Sequence, residues 1–280
     1  MTPHILGVLC ALLSAVVWGT GDFSGGIATR SKNQYQVLFL ASIPGIAVLA
    51  VFALLFKELI PSAKDALWAF SAGLSGAFGI AALYKGLSLG NAAAVAPTAA
   101  VIGAGLPVVF SFFELGLPGL VQILGFIMAI IGIWLVSRPP GGQRHASRQG
   151  LFLAITAGIG FGCFFTLIAQ VDKGLVFLPL VISKTAAIIL AVTTLLFRRE
   201  TLPSIKGNPI ALVTGLFDAG GNIFFMLAKQ YTRLDVAAVL ASMYPAITVI
   251  LAWLVLREKV CASQWQGLVL CVIAIALIGV

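Results

Sequence analysis

The chain has 280 residues, 60% hydrophobic and 9% charged, with a mean hydropathy of +1.10 and a formal net charge of +8. Those proportions exclude a soluble globular domain, and an open sheet cannot satisfy its backbone in lipid, so the fold class is an all-α polytopic membrane protein in a lipid bilayer. The positive charge does not imply nucleic acid, because the basic residues lie in short gaps between apolar runs, where they orient a membrane protein.

Apolar windows of about 20 residues predict ten transmembrane helices. In chain order they cover 5–28, 35–56, 67–87, 92–113, 117–136, 150–171, 177–197, 209–230, 236–256 and 264–280. The first run has no basic leader and is longer than a signal-peptide core, so it reads as a true span. Turn-forming residues fill the gaps: Pro61-Ser62, Pro139-Pro140-Gly141-Gly142 and Lys206-Gly207-Asn208-Pro209. Pro97 and Pro107 interrupt the fourth span and Pro245 the ninth, as hinges or as static kinks. The ninth span opens behind Asp235, a good helix N-cap, and stops at Arg257-Glu258-Lys259. The cysteines (Cys10, Cys163, Cys261 and Cys271) are scattered without metal spacing and read as packing residues. No cofactor, metal or catalytic group is implied.

The Pro-Pro-Gly-Gly gap separates two sets of five spans. Gly7, Ala11 and Gly19 match Gly150, Ala154 and Gly162. Lys85 matches Lys229, Asn91 matches Asp235, and Ala93-Ala94-Val95 match Ala237-Ala238-Val239. Gln122 and Gly125 match Gln264 and Gly267, so the shift stays at 142 to 144. The halves are 1–137 and 150–280, with a linker at 138–149. Five is odd, so tandem units enter the bilayer from opposite sides. The expectation is an inverted repeat about an axis in the membrane plane, which suits alternating access to a midplane site. Ten of the basic residues fall in the gaps after odd-numbered spans and five in the opposite gaps. The positive-inside rule then puts the first set in the cytoplasm and both termini outside.

These residues resemble the drug/metabolite transporter (DMT) superfamily, EamA type, over nearly the whole chain. The most specific parts are Ala237-Ala238-Val239-Leu240-Ala241-Ser242-Met243-Tyr244-Pro245, Leu256-Arg257-Glu258-Lys259 and Gln264-Trp265-Gln266-Gly267. Trp18-Gly19-Thr20-Gly21-Asp22-Phe23 is similar to the aromatic-glycine motif that closes the family's first helix. The resemblance implies ten helices in two EamA-like five-helix repeats, a central cavity and secondary transport of small organic solutes. The first half departs from the pattern: Glu114 is followed by Leu115-Gly116-Leu117-Pro118, without the usual basic neighbour. The expected setting is the plasma (inner) membrane, the expected direction export of metabolites or drugs, and the expected assembly a monomer or homodimer.

Ionisable groups inside spans are costly and usually face a cavity or a partner. Asp218 lies mid-span, with Asn222, Phe225 and Lys229 at i+4, i+7 and i+11, so all four share one helix face. This is either a polar stripe facing the substrate, with Asp218 as a cation or proton site, or a buried structural ion pair. Lys229 reads as a snorkelling residue at the interface. Lys184 in the seventh span differs from Asp218 in depth by ~6 Å. The pair would be a gate, a proton-coupled switch or a static lock. Asp22 sits in the glycine-rich end of the first span, as a carboxylate at one mouth of the cavity, a cap at a break, or an interfacial acid beside Arg30. Neither acid has a duplicated counterpart, because Phe165 and Leu74 stand in the matching places. Trp18, Phe161, Tyr84 and Tyr244 either line the cavity and stack on substrate or simply pack.

No G-x-x-x-x-G-K-[ST] loop is present, so the chain does not itself power an ATP-driven pump. Coupling would come from protons, another ion or the solute's own gradient. The small-molecule substrate reads as neutral, zwitterionic or amphipathic. An alternative is an intramembrane aspartyl protease, since Gly19-Thr20-Gly21-Asp22 spells Gly-x-Gly-Asp, although the partner Tyr-Asp motif is absent. A passive channel is the third reading, and it lacks rings of repeated polar residues.

Overall fold

A computed structural model describes residues 2–29, 31–88, 92–136, 148–257 and 260–278. Arg30, Asn91, Glu258, Lys259 and nearly all of the linker expected at 138–149 lie outside the described residues. The helices in the first half are α1 (Pro3–Ala28), α2 (Gln34–Leu55), α3 (Ala63–Ser88), α4 (Ala92–Leu115) and α5 (Leu120–Val136). Those in the second are α6 (Arg148–Ile168), α7 (Phe177–Phe197), α8 (Pro209–Tyr231), α9 (Leu234–Ala241), α10 (Tyr244–Leu256) and α11 (Ala262–Ile278). Among the described residues there is no strand. Eight segments of the described residues are long and apolar enough to cross a membrane, with α9 and α10 together making one of them. α5 and α11 are apolar but have 17 residues each. At 1.5 Å per residue each reaches about 25 Å, just short of a typical hydrocarbon core.

Local chemistry sets the helix ends. Asn33 accepts from the N–H groups of Tyr35 and Gln36, while the Gln36 side chain accepts from the Asn33 N–H, closing a capping box on α2. Ser62 and Asp65 do the same for α3, which therefore starts at Ala63 and not at the expected 67. The ninth span is not one helix. It breaks at Ser242 and Met243, because Pro245 has no N–H to donate to Ala241 and its ring crowds that carbonyl. Pro107, in contrast, leaves α4 continuous. Asp235 is not the N-cap of this span. The cap position is Arg233, and Asp235 lies buried in the first turn, paired with the Arg233 guanidinium at 2.8 Å. Lys229 does not snorkel. It turns inward, and its ammonium donates to the carbonyls of Ile168, Ala169 and Val171, satisfying the frayed end of α6.

The two halves are interleaved. α1 packs along α8, and α3 packs along α6. α2 meets α7, α5 meets α11, α2 and α3 cross α8 and α7 respectively, and α4 lies on α6 as α1 lies on α9 and α10. Residues 235–241 of α9 are completely buried at the centre of this arrangement. Leu13, Val51, Leu124, Phe152, Trp253 and Val272 stand exposed on the outside, an apolar girdle suited to lipid tails.

Ties across the halves also come in matched pairs. Glu58, after α2, accepts from the N–H of Phe177 at 2.9 Å and from those of Val176 and Leu178, so its carboxylate caps α7. Glu200, after α7, accepts from the amide of Asn33, the N-cap residue of α2. Asp65 accepts from the Asp172 N–H at 3.0 Å in the α6–α7 connection. Asn208 donates to the Ala28 carbonyl and to Ser31 Oγ in the α1–α2 connection. An anionic cap on three free amide groups satisfies orphan donors and opposes the helix dipole. Glu58→Ala is therefore expected to lower stability by about 1–2 kcal/mol, with Glu58→Gln in between. Thermal melts of the three purified proteins check the order.

Candidate binding site

α1, α2, α3, α6, α7, α8 and the start of α10 surround a cavity of about 90 Å³. Trp18, Asp22, Lys184, Asp218, Asn222 and Tyr244 all line it. Tyr84 lines a smaller cavity of about 30 Å³ that shares Trp18, Asp22 and Asp218 with the first. The seven candidates thus come together from five helices, α1, α3, α7, α8 and α10.

Small residues make the space. Gly73 of α3 sits against the backbone of Ser183, and Gly215 of α8 sits against the backbone of Ala41. A Cβ at Gly73 would come within 2.2 Å of the Ser183 carbonyl oxygen, and one at Gly215 within 1.8 Å of that of Ala41. These contacts bring α3 onto α7 and α8 onto α2, around the cavity in which Lys184 meets Asp218. Gly221 similarly admits the Trp18 indole, since a Cβ there would lie 2.4 Å from the ring.

The charged part of the site is built on α7 and α8. Lys184 forms an ion pair with Asp218 Oδ2, and the side chains are 10% and 23% exposed. Asn222, one turn below, donates to Asp218 Oδ1 at 3.0 Å and to the Asp218 carbonyl. Both carboxylate oxygens are thus engaged, one by a cation and one by an amide. Asp22 differs. Among the described residues it makes no hydrogen bond and no ion pair. Tyr244 lines the first cavity with it, and Tyr84 the second. Tyr244 is 8% exposed, and its hydroxyl has no hydrogen-bond partner among the described residues.

The opposite wall is aromatic. Trp18 lies 5.6 Å from Phe165 and 5.9 Å from Phe225, and Phe165 lies 4.7 Å from Phe225, centroid to centroid. Phe161 and Phe164 extend this wall along α6. The expected stripe on α8 divides. Asp218 and Asn222 face the cavity, whereas Phe225 is fully buried behind Trp18 and Phe165, and Lys229 serves the end of α6. Ser183, Phe164 and Phe165 also line the cavity without having been singled out as site residues. The signal for Phe165 was its place opposite Asp22 in the repeat. Among the described residues no three His, Cys, Asp or Glu side chains converge as metal ligands would. The arrangement can stack a flat or ring-shaped solute on one side and hydrogen-bond it on the other. It can also exchange an internal ion pair for contacts to a ligand.

A model of the EamA-like transporter family matches twice, over residues 5–138 and 148–280. Two proteins of Streptococcus agalactiae, provisionally named sugar uptake proteins, are each 26% identical over 283 residues, covering 94% of this chain and 93% of their own. An uncharacterized protein of Methanocaldococcus jannaschii is 27% identical over 131 residues, which is 47% of this chain and 93% of that protein. A solved crystal structure shares the fold with a TM-score of 0.75 at 16% identity, covering 97% of this chain and 95% of that one.

Proposed function

From the premise that this chain belongs to the EamA-like transporter family and is a multi-pass integral membrane protein, we propose that it is a secondary transporter that carries a small polar organic solute through its central cavity by alternating access. The observation that carries the proposal is the Lys184–Asp218 pair, held with Asn222 in a cavity facing an aromatic wall. An ion pair at such depth is costly, and a cavity is where its two states can be used. Solute hydroxyls or an amine would replace Lys184 as a partner of Asp218, and release of the pair would let the two sides of the cavity part.

The two halves, residues 1–137 and 150–280, are proposed to be inverted repeats about an axis in the membrane plane. The matched ties support this: Glu58 on the start of α7 against Glu200 on the N-cap of α2, and Gly73 on Ser183 against Gly215 on Ala41. The archaeal relative, whose length is nearly that of one half, fits a duplicated unit. An aromatic face opposite carboxylate and amide groups suits a hydroxylated ring, and the names of the streptococcal relatives agree with that class. Those names speak of uptake, against the export expected from the sequence. The proposal is a carrier that runs in whichever direction its gradients drive. The protease reading loses ground, because Asp218 spends both oxygens on Lys184 and Asn222 and does not share a proton with Asp22.

Purified full-length protein in liposomes loaded with D-glucose should show saturable counterflow of labelled D-glucose. Glycine and a non-metabolised quaternary amine serve as comparison solutes. Saturable exchange of one of them fits a carrier. Flux that rises linearly for all three, or peptide cleavage with no flux, would replace that reading.

A further inference from the structure

The solute site leaves Asp22 without a task. Lys184 and Asp218 cancel one another's charge, so the Asp22 carboxylate is the uncompensated charge among the described groups lining the cavity. The titratable groups that share its two cavities are the Lys184–Asp218 pair from α7 and α8, Tyr84 from α3 and Tyr244 from α10. None of them supplies a free positive charge. A carboxylate inside a membrane span without a counter-charge favours a cation at its side. Tyr244 lines the same cavity, and its buried hydroxyl has no hydrogen-bond partner among the described residues.

A second, smaller cavity adjoins the same carboxylate. The smaller cavity extends from Asp22 and Asp218 past Tyr84 to Thr214. Thr214 is hydrogen-bonded to Ser24 at 2.9 Å across the α1–α8 seam, and farther along the seam Asn208 reaches Ser31 at 3.2 Å. At three matching positions of the equivalent seam, between α3 and α6, the residues are apolar: Phe165 stands for Asp22, Leu167 for Ser24, and Ala72 for Thr214.

We propose that Asp22, assisted by Tyr244 and Tyr84, is the seat of a monovalent cation, a proton or Na⁺, that is coupled to solute movement. The proposal rests on the carrier reading above. It assigns the driving ion to a carboxylate other than the one that meets the solute, so the two charges can be tested apart.

The test is a cation titration of the purified full-length protein without solute. A cation held only by the folded state raises the melting temperature by mass action. The wild type is expected to respond to NaCl against N-methyl-D-glucamine chloride if the ion is Na⁺, or to pH in sodium-free buffer if it is a proton. In Asp22→Asn the response should vanish, or need about tenfold more ion or greater. Tyr244→Phe, which removes only the unpartnered hydroxyl, should weaken the response without lowering folded yield, and it keeps the test open if Asp22→Asn does not fold. A wild type that responds to neither cation overturns the proposal. So does an unchanged response in Asp22→Asn, or in Tyr244→Phe where that variant alone is folded. No solute is present, so these failures count against the cation site alone, whereas missing counterflow in the wild type counts against the carrier reading.

Discussion

Asp218→Asn is expected to abolish solute counterflow and to destabilise the protein, while Lys184→Met combined with Asp218→Leu is expected to recover stability and not transport. The single change keeps an oxygen for Asn222 to bond but leaves the Lys184 ammonium without its counter-charge, at a side chain only 10% exposed. Removing one member of a buried pair costs about 3–5 kcal/mol, whereas replacing both by apolar groups of similar volume is often neutral or stabilising. A static lock and a working gate part company in the double variant. If the pair only holds α7 to α8, the apolar replacement should transport normally once folded. If the pair must open for solute, the double variant should melt near the wild-type temperature and show counterflow reduced on the order of 100-fold, the equivalent of about 3 kcal/mol. Full counterflow in the double variant would remove Lys184 and Asp218 from the transport cycle.

The candidate residues were legible because each breaks a local rule. A lysine, two aspartates and an asparagine inside apolar runs announce a cavity or a partner, whichever fold surrounds them. The depth match of Lys184 and Asp218 could be estimated from helical rise, but their pairing could not, because it depends on Gly215 meeting Ala41 and Gly73 meeting Ser183. The cross-half caps were hidden for the same reason. Glu58 and the amides it binds are 118 to 120 residues apart, and nothing near Glu58 marks it as a cap. The break in the ninth span was half visible. Pro245 signalled a disturbance, yet the residues on either side are apolar and helical, so the run looked continuous. Asp235 misled because an acid ahead of an apolar run is usually a cap; here Arg233 takes the cap position and pulls Asp235 into an ion pair within the first turn. Phe165 was not singled out, although it stands at the position matching Asp22; it lies against Trp18 on the cavity wall.

Gly215→Ala is expected to cost most of the folded protein, although it adds a single methyl group. The added carbon would lie 1.8 Å from the Ala41 carbonyl oxygen, and ordinary contact begins near 3.4 Å, so α2 and α8 would have to separate by about 1.6 Å at that point. The obstacle is backbone, which cannot rotate away as a side chain would. Overpacking of this kind typically costs 1–3 kcal/mol and occasionally more, and the strain falls between the helix that bears Asp218 and the one that bears Leu38, both on the cavity. Gly73→Ala meets the Ser183 backbone at the matching place and should behave alike. Gly26→Ala is the control, because nothing lies within 4 Å of its added carbon. There the same substitution raises helix propensity and should be silent or stabilising by about 0.5–1 kcal/mol. Size-exclusion profiles and thermal melts in detergent separate the three. If Gly215→Ala melts with Gly26→Ala, the close crossing of α2 and α8 is not what sets the height of Lys184 against Asp218, and the ion pair must be held in register by the caps at the helix ends instead.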